Sequence, residues 1–580
     1  MSSNSPTLGF RARTNILQWA LFAIFIIFGV RLFYIQVLKG SYYSQLALAN
    51  QRKQYEITPE RGSIYAVDGG KVVPLVLNEK RYRLVADPSL IKKVDETAAA
   101  LAEFSNPADI KTQLNIKTSR YEILAKKISK DQAEKIRELE LAGVFLEETP
   151  QRVYPQGSLA AGILGFVDDD GVGKYGIEQA LDKEMHGENG QVKAITDHNG
   201  VPLLASGDNV LVPAKDGTDI VLSVDISLQR QVEEILKAGL EAAKSASGGV
   251  VVLRTNGEVA AMASYPTYDP AKYSDQKDPN VFINSNVGTP YEVGSIMKPL
   301  TVAAALDSGS VTPDTSFFDP GFVRVDDATV TNVEEVGGSG VRNLEAVLVL
   351  SLNTGATKML QYMGGGDINS KARNTWHDYM VDHYQLGKVT NIEQGYESEG
   401  IIPDPEEGFG LNITFANTAF GQGMTATPLQ MAAAMASVVN GGNYYQPTLV
   451  RGYRQGEVIE PKEPKLVRSN VVSEQFSKLI ISYMESVVDR NLASANKNGY
   501  MVGGKTGTAQ IANPAGGYFD DKFNGSYMGF VGGDNPEYII VVRVDQPGIA
   551  GYAGSKAAAP IFSNVSNLLI NNFNVPSRAQ

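Results

Sequence analysis

One long apolar stretch near the N-terminus constrains the fold more than any other feature of this chain. Residues 16–38 are predominantly apolar and rich in Phe, Ile, Leu and Val. At a rise of about 1.5 Å per residue, a helix of about 20 residues crosses the hydrocarbon core of a bilayer. Later apolar runs are far shorter. The pattern therefore predicts a single membrane-spanning helix followed by a large domain on one side of the membrane.

The flanks of this stretch predict its orientation. Arg11 and Arg13 precede it, and no acidic residue lies before them. Basic residues favour the cytoplasmic side, so we expect a cytoplasmic N-terminus and an extracytoplasmic remainder. A cleaved signal peptide is the alternative. Residues 47–49 resemble a cleavage site but lie too far beyond the apolar stretch, which favours an uncleaved anchor.

Composition excludes several classes of function. The chain has 580 residues, enough for several domains. Its net charge of −12, without a basic stripe interleaved with aromatic residues, argues against nucleic-acid binding. It has no cysteine, which excludes disulfides, thiolate metal sites and cysteine nucleophiles. His377 and His383 are six residues apart, which is not the spacing of a helical ligand pair, so we predict no metal site and no cofactor.

A Ser-x-x-Lys pattern is the first candidate for catalysis, although the pattern alone is weak. Only at Ser295 does it follow a turn and open an apolar helix, with Pro299 at a first-turn position that needs no amide donor. The other three occurrences lie in a polar loop, at a helix end and at the start of a charged stretch. The four serines are Ser89, Ser274, Ser295 and Ser494.

The spacing of Ser295 and Lys298 suits nucleophilic catalysis. Residues three apart on a helix share a face, so Lys298 is expected one turn from Ser295. A serine hydroxyl is a poor nucleophile until a base removes its proton, and lysine serves as that base only when its pKa falls well below about 10.4. Burial and a second nearby cation lower that pKa. Lys505, in Lys505-Thr506-Gly507-Thr508, is the candidate second cation.

The second half of the chain predicts a sheet of antiparallel strands with flanking helices. Turn residues at 255–257 and 534–537 separate apolar runs, which is typical of hairpins. A strand is expected at 220–224 and an amphipathic helix at 228–242. Earlier, residues 39–60 have a helical, stalk-like pattern, and residues 95–145 have helical periodicity, for example over 133–141.

Taken together, the ordered motifs resemble those of class B penicillin-binding proteins, which are monofunctional peptidoglycan D,D-transpeptidases. Ser-x-x-Lys, a Ser/Asn pattern and Lys-Thr-Gly are signatures of penicillin-binding proteins and class A β-lactamases. The length, the single span and the N-terminal module resemble the cell-division type more than the elongation type. The resemblance rests on Arg61-Gly62, Arg152-x-Tyr154-Pro155, Gly176-x-Glu178, Tyr291-Glu292-x-Gly294-Ser295, Ser351-x-Asn353, Gly421-Gln422-Gly423, and Gly504 to Ala509.

Three motifs depart from the family pattern. Val293 replaces the usual proline before Gly294-Ser295, Leu253-Arg254 replaces an Asp-Pro pair, and Ala66-Val67-Asp68-Gly69 stands in place of an Asp-Arg-Asn-Gly turn. None of these changes removes a group that the chemistry requires.

The resemblance implies a role for each residue of the serine and Ser/Asn motifs. Ser295 would attack the carbonyl between two D-alanines of a stem peptide and form an acyl-enzyme. Lys298 would be its base. Ser351 would relay a proton to the leaving amine, because a hydroxyl both donates and accepts. Asn353 would hold Lys298 and the substrate amide.

The Lys-Thr-Gly motif would complete the site. By resemblance, Lys505 supplies positive charge near the substrate carboxylate, and the hydroxyls of Thr506 and Thr508 bind that carboxylate. Gly507 lets the strand backbone approach the substrate without a side chain. The backbone amides of Ser295 and Thr508 would form the oxyanion hole, in which one donor is worth about 10²–10³ in rate.

The resemblance also implies an architecture. The expected fold class is α/β (α+β), the penicillin-binding serine transpeptidase fold with an antiparallel sheet flanked by helices. The expected segments are a cytoplasmic tail (1–15), a transmembrane anchor (16–38), an N-terminal pedestal of the dimerisation type (39–218) and a transpeptidase domain (219–575). The expected location is the bacterial cytoplasmic membrane. Expected partners are stem peptides, β-lactams as inhibitors, a membrane glycosyltransferase and other cell-division proteins.

Two further functions stay open at the level of sequence. One is a β-lactam hydrolase, which in class A needs a deacylating glutamate; the segment after Glu407 resembles that element only loosely. The other is a non-catalytic scaffold or antibiotic sensor with an inert Ser295. The anchor and the large N-terminal module argue against the hydrolase.

Overall fold

The N-terminal helix is the part of the structure that suits a membrane. A computed structural model describes residues 7–43, 52–195, 210–332, 338–513 and 516–579. Among these residues, one helical segment, Thr14–Leu38, is long and apolar enough to cross a bilayer by length and composition. It comprises most of the helix Thr7–Phe33 and a following π-helical turn, Tyr34–Leu38. The predicted tail begins with residues 1–6, which lie outside the described residues.

Residues 1–60 and 187–217 form one of two structural units. Its described part contains a three-stranded antiparallel sheet in the order Arg52–Ile57, Gly190–Ile195, Val210–Val212. The helical prediction for residues 39–60 was therefore wrong at its end, because Arg52–Ile57 is a strand. Its hydrogen-bond partner lies more than 130 residues downstream, and a local pattern carries no information about such a partner.

The second unit, residues 61–186 and 218–580, contains the sheet that organises the candidate site. Five of its described strands pair antiparallel throughout, in the order Val259–Tyr265, Ser247–Arg254, Pro536–Asp545, Tyr518–Gly532, Met501–Ala512. The last of these carries the Lys-Thr-Gly motif at the sheet edge and is called the motif strand below. Both predicted hairpins are confirmed.

Both faces of this sheet are covered by helices. Val250 and Val252 point to one apolar cluster, with the helices Ile226–Ala243 and Ala559–Asn572. Val251 and Leu253 point to another, with the helices Lys298–Asp307 and Pro428–Val439. Continuous apolar runs of this kind are expected in strands buried on both faces. The predicted α+β class, an antiparallel sheet flanked by helices, is confirmed.

A second, mixed sheet lies in the same unit. Its described strands follow the order Val458–Pro461, Val450–Gln455, Asp219–Asp225, Ile64–Asp68, Lys71–Ala86, Glu122–Ile128, and Val144–Val153 pairs with Lys71–Ala86. The strand expected at 220–224 is confirmed as Asp219–Asp225. The helical pattern of residues 95–145 is only partly realised, since Glu122–Ile128 is a strand and the helix expected at 133–141 runs from Lys130 to Glu138.

The remaining elements of this unit are short helices and ribbons. The α-helices are Val94–Ala100, Pro107–Leu114, Ala161–Leu164, Gly176–Ala180, Asp182–His186, Ser285–Gly288, Leu344–Val349, Asn353–Met363, Ser370–Asp378, Leu411–Thr418 and Glu474–Asn491. The 3₁₀ and π turns are Pro270–Asp275, Pro279–Phe282, Gly294–Met297, Tyr379–His383 and Gly554–Ala558. The short strands are Phe166–Val167, Gly173–Lys174, Ser316–Asp319, Phe322–Val325, Ala328–Thr331, Gly340–Asn343, Tyr444–Tyr445 and Leu466–Arg468.

A buried group of charges joins the N-terminal motifs to one another. The Glu178 side chain is 0% exposed and accepts from Arg61 Nε at 2.8 Å and from Arg152 Nε at 2.9 Å. Arg61 also donates to Asp182 Oδ1 at 2.7 Å. These four residues are called the pedestal charge cluster below. Their pairing explains why the N-terminal module combines Arg-Gly, Arg-x-Tyr-Pro and Gly-x-Glu motifs.

Candidate active site

The turn that carries Ser295 leads directly into a buried helix. Gly294–Met297 forms a 3₁₀ turn, and the helix Lys298–Asp307 follows with Pro299 in its first turn. The Lys298 amide donates to the Ser295 carbonyl, so the two residues lie one turn apart. Ser295 is half-buried, whereas Lys298 is 0% exposed. The predicted turn and apolar helix are confirmed.

Ser351 and Asn353 lie on the connection between two helices. The helix Leu344–Val349 ends just before Ser351, and Asn353 begins the helix Asn353–Met363. Ser351 has a φ of +56°, a left-handed conformation that is uncommon for residues other than glycine. Such conformations persist where the surrounding structure enforces them, and they are frequent at functional sites.

Lys298 is held by this connection. Its Nζ lies 2.6 Å from the Ser351 carbonyl oxygen, 2.8 Å from Asn353 Oδ1 and 3.2 Å from Ser351 Oγ. Asn353 in turn donates through Nδ2 to the Thr331 carbonyl at 3.1 Å. Two motifs that are 53 residues apart in sequence are thereby brought into contact at a single amine.

The Ser295 hydroxyl departs from the simplest expectation. Within the described residues it forms no hydrogen bond, and Lys298 donates to Ser351 and Asn353 instead. Lys298 is therefore a neighbour of Ser295 along the helix without being its hydrogen-bond partner. Catalytic hydrogen bonds are often long or poorly aligned in unliganded enzymes and tighten in the complex with substrate, so this geometry does not exclude Lys298 as the base.

Lys505 approaches the Ser351 hydroxyl from the motif strand. Its Nζ donates to Ser351 Oγ at 2.9 Å and to the Thr506 carbonyl at 2.9 Å. Its side chain is 1% exposed. The Ser351 hydroxyl thus lies between Lys298 and Lys505, which are called the lysine pair below.

The lysine pair is electrostatically unusual. Burial, and next the positive charge of Lys505, hold the pKa of Lys298 well below its ordinary value. Burial lowers the pKa of Lys505 to about 7. Among the described residues, no carboxylate forms an ion pair with either amine. Such a pair favours one neutral amine near pH 7, which is the form that accepts a proton.

Glycines allow the motif strand to approach the serine turn. A Cβ on Gly507 would lie 2.2 Å from Ser526 Oγ and 2.8 Å from the Val293 carbonyl. Behind the turn, Gly421 has a φ of +81°, and its carbonyl accepts from the Gly294 amide at 2.9 Å. A Cβ on Gly421 would lie 2.1 Å from the Gly294 carbonyl, so no side chain fits there.

The two threonines of the motif strand are half-buried beside this turn. The Thr508 backbone packs against Gly294, since a Cβ on Gly294 would lie 2.9 Å from the Thr508 carbonyl oxygen. The Thr508 hydroxyl accepts from the Gly554 amide at 3.0 Å and keeps its own proton for donation. The Thr506 hydroxyl lies 3.4 Å from Lys505 Nζ. The motif strand thus offers hydroxyl donors next to Ser295.

Glu292 also belongs to the site, although the sequence motif that contains it predicted no role for it. Its Oε1 accepts from the Gly423 amide at 3.0 Å and from the Tyr518 hydroxyl at 2.9 Å. Burial raises the pKa of the Glu292 carboxyl. Glu292 therefore connects the serine turn to the loop after Gly421 and to the start of the strand Tyr518–Gly532. Its position three residues before Ser295 was the available signal.

The competing sequence patterns lie in exposed settings. Ser274 belongs to an exposed 3₁₀ segment, and Ser494 follows the end of the helix Glu474–Asn491. Glu407, considered above as a deacylating residue, is exposed in a loop. Within the described ranges, no group of three or more histidine, aspartate or glutamate side chains is placed to hold a metal ion.

Comparison with protein families identifies the family of the chain. Residues 248–567 match the model of the penicillin-binding protein transpeptidase domain, and residues 56–222 match that of the penicillin-binding protein dimerisation domain. The chain belongs to the penicillin-binding protein transpeptidase family. The first match covers more than half of the chain and includes every candidate site residue named above.

Relatives match over nearly the whole chain. Stage V sporulation protein D of Bacillus subtilis is 33% identical over 571 residues, covering 95% of this chain and 85% of the relative. Peptidoglycan D,D-transpeptidase FtsI of Escherichia coli is 27% identical over 536 residues, covering 90% and 85%. The crystal structure of penicillin-binding protein 3 from Mycobacterium tuberculosis, complexed with aztreonam, is 25% identical with a TM-score of 0.68, covering 90% and 98%.

Proposed function

We propose that this protein is a membrane-anchored serine D,D-transpeptidase that cross-links peptidoglycan stem peptides through a Ser295 acyl-enzyme and is acylated there by β-lactams. The observation that carries the proposal is the buried lysine pair on either side of the Ser351 hydroxyl, next to the serine turn. The aztreonam complex of the mycobacterial relative and the transpeptidase name of the E. coli relative support both halves of it.

Acylation begins with proton transfer from Ser295 to Lys298. A neutral lysine amine has two N–H groups and one lone pair, and the Ser351 carbonyl and Asn353 Oδ1 accept from the two N–H groups. The lone pair then faces the Ser351 hydroxyl at 3.2 Å and is released from it to take the Ser295 proton. Because the Ser295 hydroxyl has no hydrogen bond to any part of the chain that the structure describes, it can rotate towards Lys298 when substrate arrives. The serine oxygen then attacks the carbonyl between the two D-alanines.

The tetrahedral intermediate is stabilised by the motif strand. The backbone amides of Ser295 and Thr508 bind the oxyanion, and the close contact between Gly294 and Thr508 supports this pairing. Thr506 and Thr508 donate to the terminal carboxylate of the stem peptide, with Lys505 as the nearby positive charge. Gly507 gives the substrate backbone access to the strand.

Ser351 returns the proton to the leaving group. Its hydroxyl donates to the departing D-alanine amine and is replenished from the lysine pair, since both amines lie within 3.2 Å of it. An amine of a second stem peptide then attacks the acyl-enzyme and passes its proton back along the same path. Asn353 holds Lys298 in place throughout and contacts the substrate amide.

The cellular setting follows from the anchor. We place residues 1–15 in the cytoplasm, residues 16–38 in the membrane, the pedestal at 39–218 and the transpeptidase domain at 219–575 outside the cytoplasm. The FtsI relative supports a role in septal wall synthesis. A transpeptidase of this kind requires newly polymerised glycan, so a membrane glycosyltransferase and other cell-division proteins are its proposed partners.

Labelling with a fluorescent penicillin tests the proposal. We expect one modified residue, Ser295, when the adduct is mapped by mass spectrometry, and no label on Ser295→Ala. Ser274→Ala is the matched control, because Ser274 also begins a Ser-x-x-Lys pattern but lies in an exposed segment. A long-lived adduct supports a transpeptidase, rapid turnover indicates a hydrolase, and an unlabelled wild-type protein indicates a scaffold.

A further inference from the structure

A buried aspartate lies close behind Asn353 and has no part in the chemistry above. Asp319 is the last residue of the strand Ser316–Asp319 and is 1% exposed. Its Oδ1 accepts from the Gly321 amide at 2.8 Å. Its Oδ2 accepts from Asn332 Nδ2 at 3.0 Å and from Thr354 Oγ1 at 2.9 Å. Three donors around one buried carboxylate satisfy its ionised form.

The partners of Asp319 lead directly to the residue that holds Lys298. Thr354 follows Asn353 in the first turn of the helix Asn353–Met363, and its amide donates to Asn332 Oδ1 at 3.1 Å. Asn332 follows Thr331, whose carbonyl accepts from Asn353 Nδ2. Asp319 therefore fixes both the helix start that bears Asn353 and the strand end to which Asn353 is hydrogen-bonded.

We infer that Asp319 is a positioning residue for the acylation reaction, acting through Asn332 and Thr354 to aim Asn353 at Lys298. This inference rests on the proposed function. Asn353 has two contacts through its side chain, one to Lys298 and one to Thr331. If the strand end and the helix start move apart, the two contacts cannot both be kept. A displacement of about 1 Å at a catalytic group costs up to about 10²-fold in rate.

The first variant changes one residue of the network. In Asp319→Asn, the N–H groups of the new amide oppose those of Asn332 Nδ2, donor against donor, whereas the Thr354 hydroxyl can turn to accept. We expect the second-order rate constant for acylation by a fluorescent penicillin to fall about 10- to 100-fold. Labelling of the wild-type protein at Ser295 in the same experiment keeps a failure of this inference separate from a failure of the proposed function.

A double variant supplies the rescue. In Asp319→Asn with Asn332→Asp, the amide at 319 donates to the carboxylate at 332. That carboxylate also accepts from the Thr354 amide and from the Thr354 hydroxyl, which lies 3.0 Å from Asn332 Oδ1 in the native protein. The hydrogen bond between residues 319 and 332 is restored with its direction exchanged, and the Gly321 and Thr354 amides donate as before. We expect acylation to return to within about threefold of the wild-type rate. A variant that regains the wild-type melting temperature without regaining the rate would contradict a positioning role.

A second pair of variants distinguishes loss of positioning from loss of folding. Thr354→Val removes the hydroxyl that donates to Asp319 and should slow acylation about tenfold. Thr357→Val is the matched control, because Thr357 is a fully buried threonine on the same helix whose hydroxyl has no partner among the described residues. If folded Asp319→Asn or Thr354→Val acylates at the wild-type rate, or if Thr357→Val slows equally, the inference is wrong.

Discussion

Two of the places where the described residues bury positive charge, the pedestal charge cluster and the lysine pair, differ in how that charge is compensated. In the pedestal charge cluster, Arg61 and Arg152 share the carboxylate of Glu178, which is itself completely buried. In the lysine pair, Lys298 and Lys505 face a neutral hydroxyl and carbonyl oxygens. Paired charges keep their ionised form when they are buried, whereas unpaired amines lose their protons more easily.

The pKa directions follow this difference. Burial by itself lowers the pKa of Arg61, but the charge of Glu178 and the hydrogen bond that Arg61 donates to Asp182 outweigh it, and the net shift is upward. At Lys298, burial and the charge of Lys505 act in the same direction, and the pKa falls well below its ordinary value. A buried cation with a carboxylate thus supports structure, and one without a carboxylate is prepared for proton transfer.

The largest effect is expected when the proposed base, Lys298, is removed. Lys298→Met keeps most of the length of the side chain, but its thioether sulfur is too weakly basic to take the Ser295 proton. A general base contributes about 10²–10⁴ in rate, so we expect penicillin acylation to slow by that factor. The melting temperature should hold or rise, because an unpaired buried amine costs more desolvation than a thioether. Stopped-flow labelling and thermal unfolding measure the two quantities. Unchanged acylation would remove Lys298 from the mechanism.

At the pedestal charge cluster we expect the opposite result, a loss of stability without a loss of acylation rate. Glu178→Gln leaves two buried guanidinium groups without their carboxylate, and breaking a buried pair in this way costs about 3–5 kcal/mol of stability. Denaturant unfolding measures this loss. Acylation per folded molecule should not change, because the cluster does not contact the lysine pair. A variant that keeps its stability but acylates slowly would show that the two sites are not separate in function.

The sequence predicted contacts between residues that are neighbours in the chain better than contacts between residues that are far apart in it. Ser295 and Lys298 lie one turn apart because helical spacing is a local property. The left-handed Ser351, which turns its carbonyl and hydroxyl to Lys298, depends on packing between two helices and has no local signal. Asp319 was missed for a similar reason, since its partner Thr354 lies 35 residues away and belongs to none of the motifs.

The errors in the predicted fold likewise occur where a strand pairs with a partner that is far away in sequence. The hairpins at 255–257 and 534–537 were predicted because a hairpin is encoded by its own turn. The local pattern predicts a helix at the strand Arg52–Ile57, because its partner, Gly190–Ile195, is remote in sequence. The motif strand was placed beside Ser295 only through the resemblance to a family, since about 210 residues separate them.

The smallest effect is expected at the second amine and concerns pH. In Lys505→Met, the charge that helps to lower the pKa of Lys298 is gone, so that pKa rises and the acylation profile moves to higher pH. The loss of a charge-assisted contact to the substrate carboxylate should also slow acylation about 10- to 100-fold at neutral pH when an anionic penicillin is used. Rates measured from pH 5 to pH 10 test both effects.

Stability should respond to pH in the same variant. In the wild-type protein, Lys505 has a pKa of about 7 when folded and an ordinary value of about 10.4 when unfolded. Between these values the unfolded chain binds a proton that the folded chain lacks, so the free energy of unfolding rises as the pH rises from about 7 to about 10. Lys505→Met should lose the Lys505 part of this rise, be relatively more stable below pH 7, and keep the part that Lys298 contributes. A slope as steep in the variant as in the wild-type protein would mean that Lys505 keeps its proton when buried, as the paired arginines do.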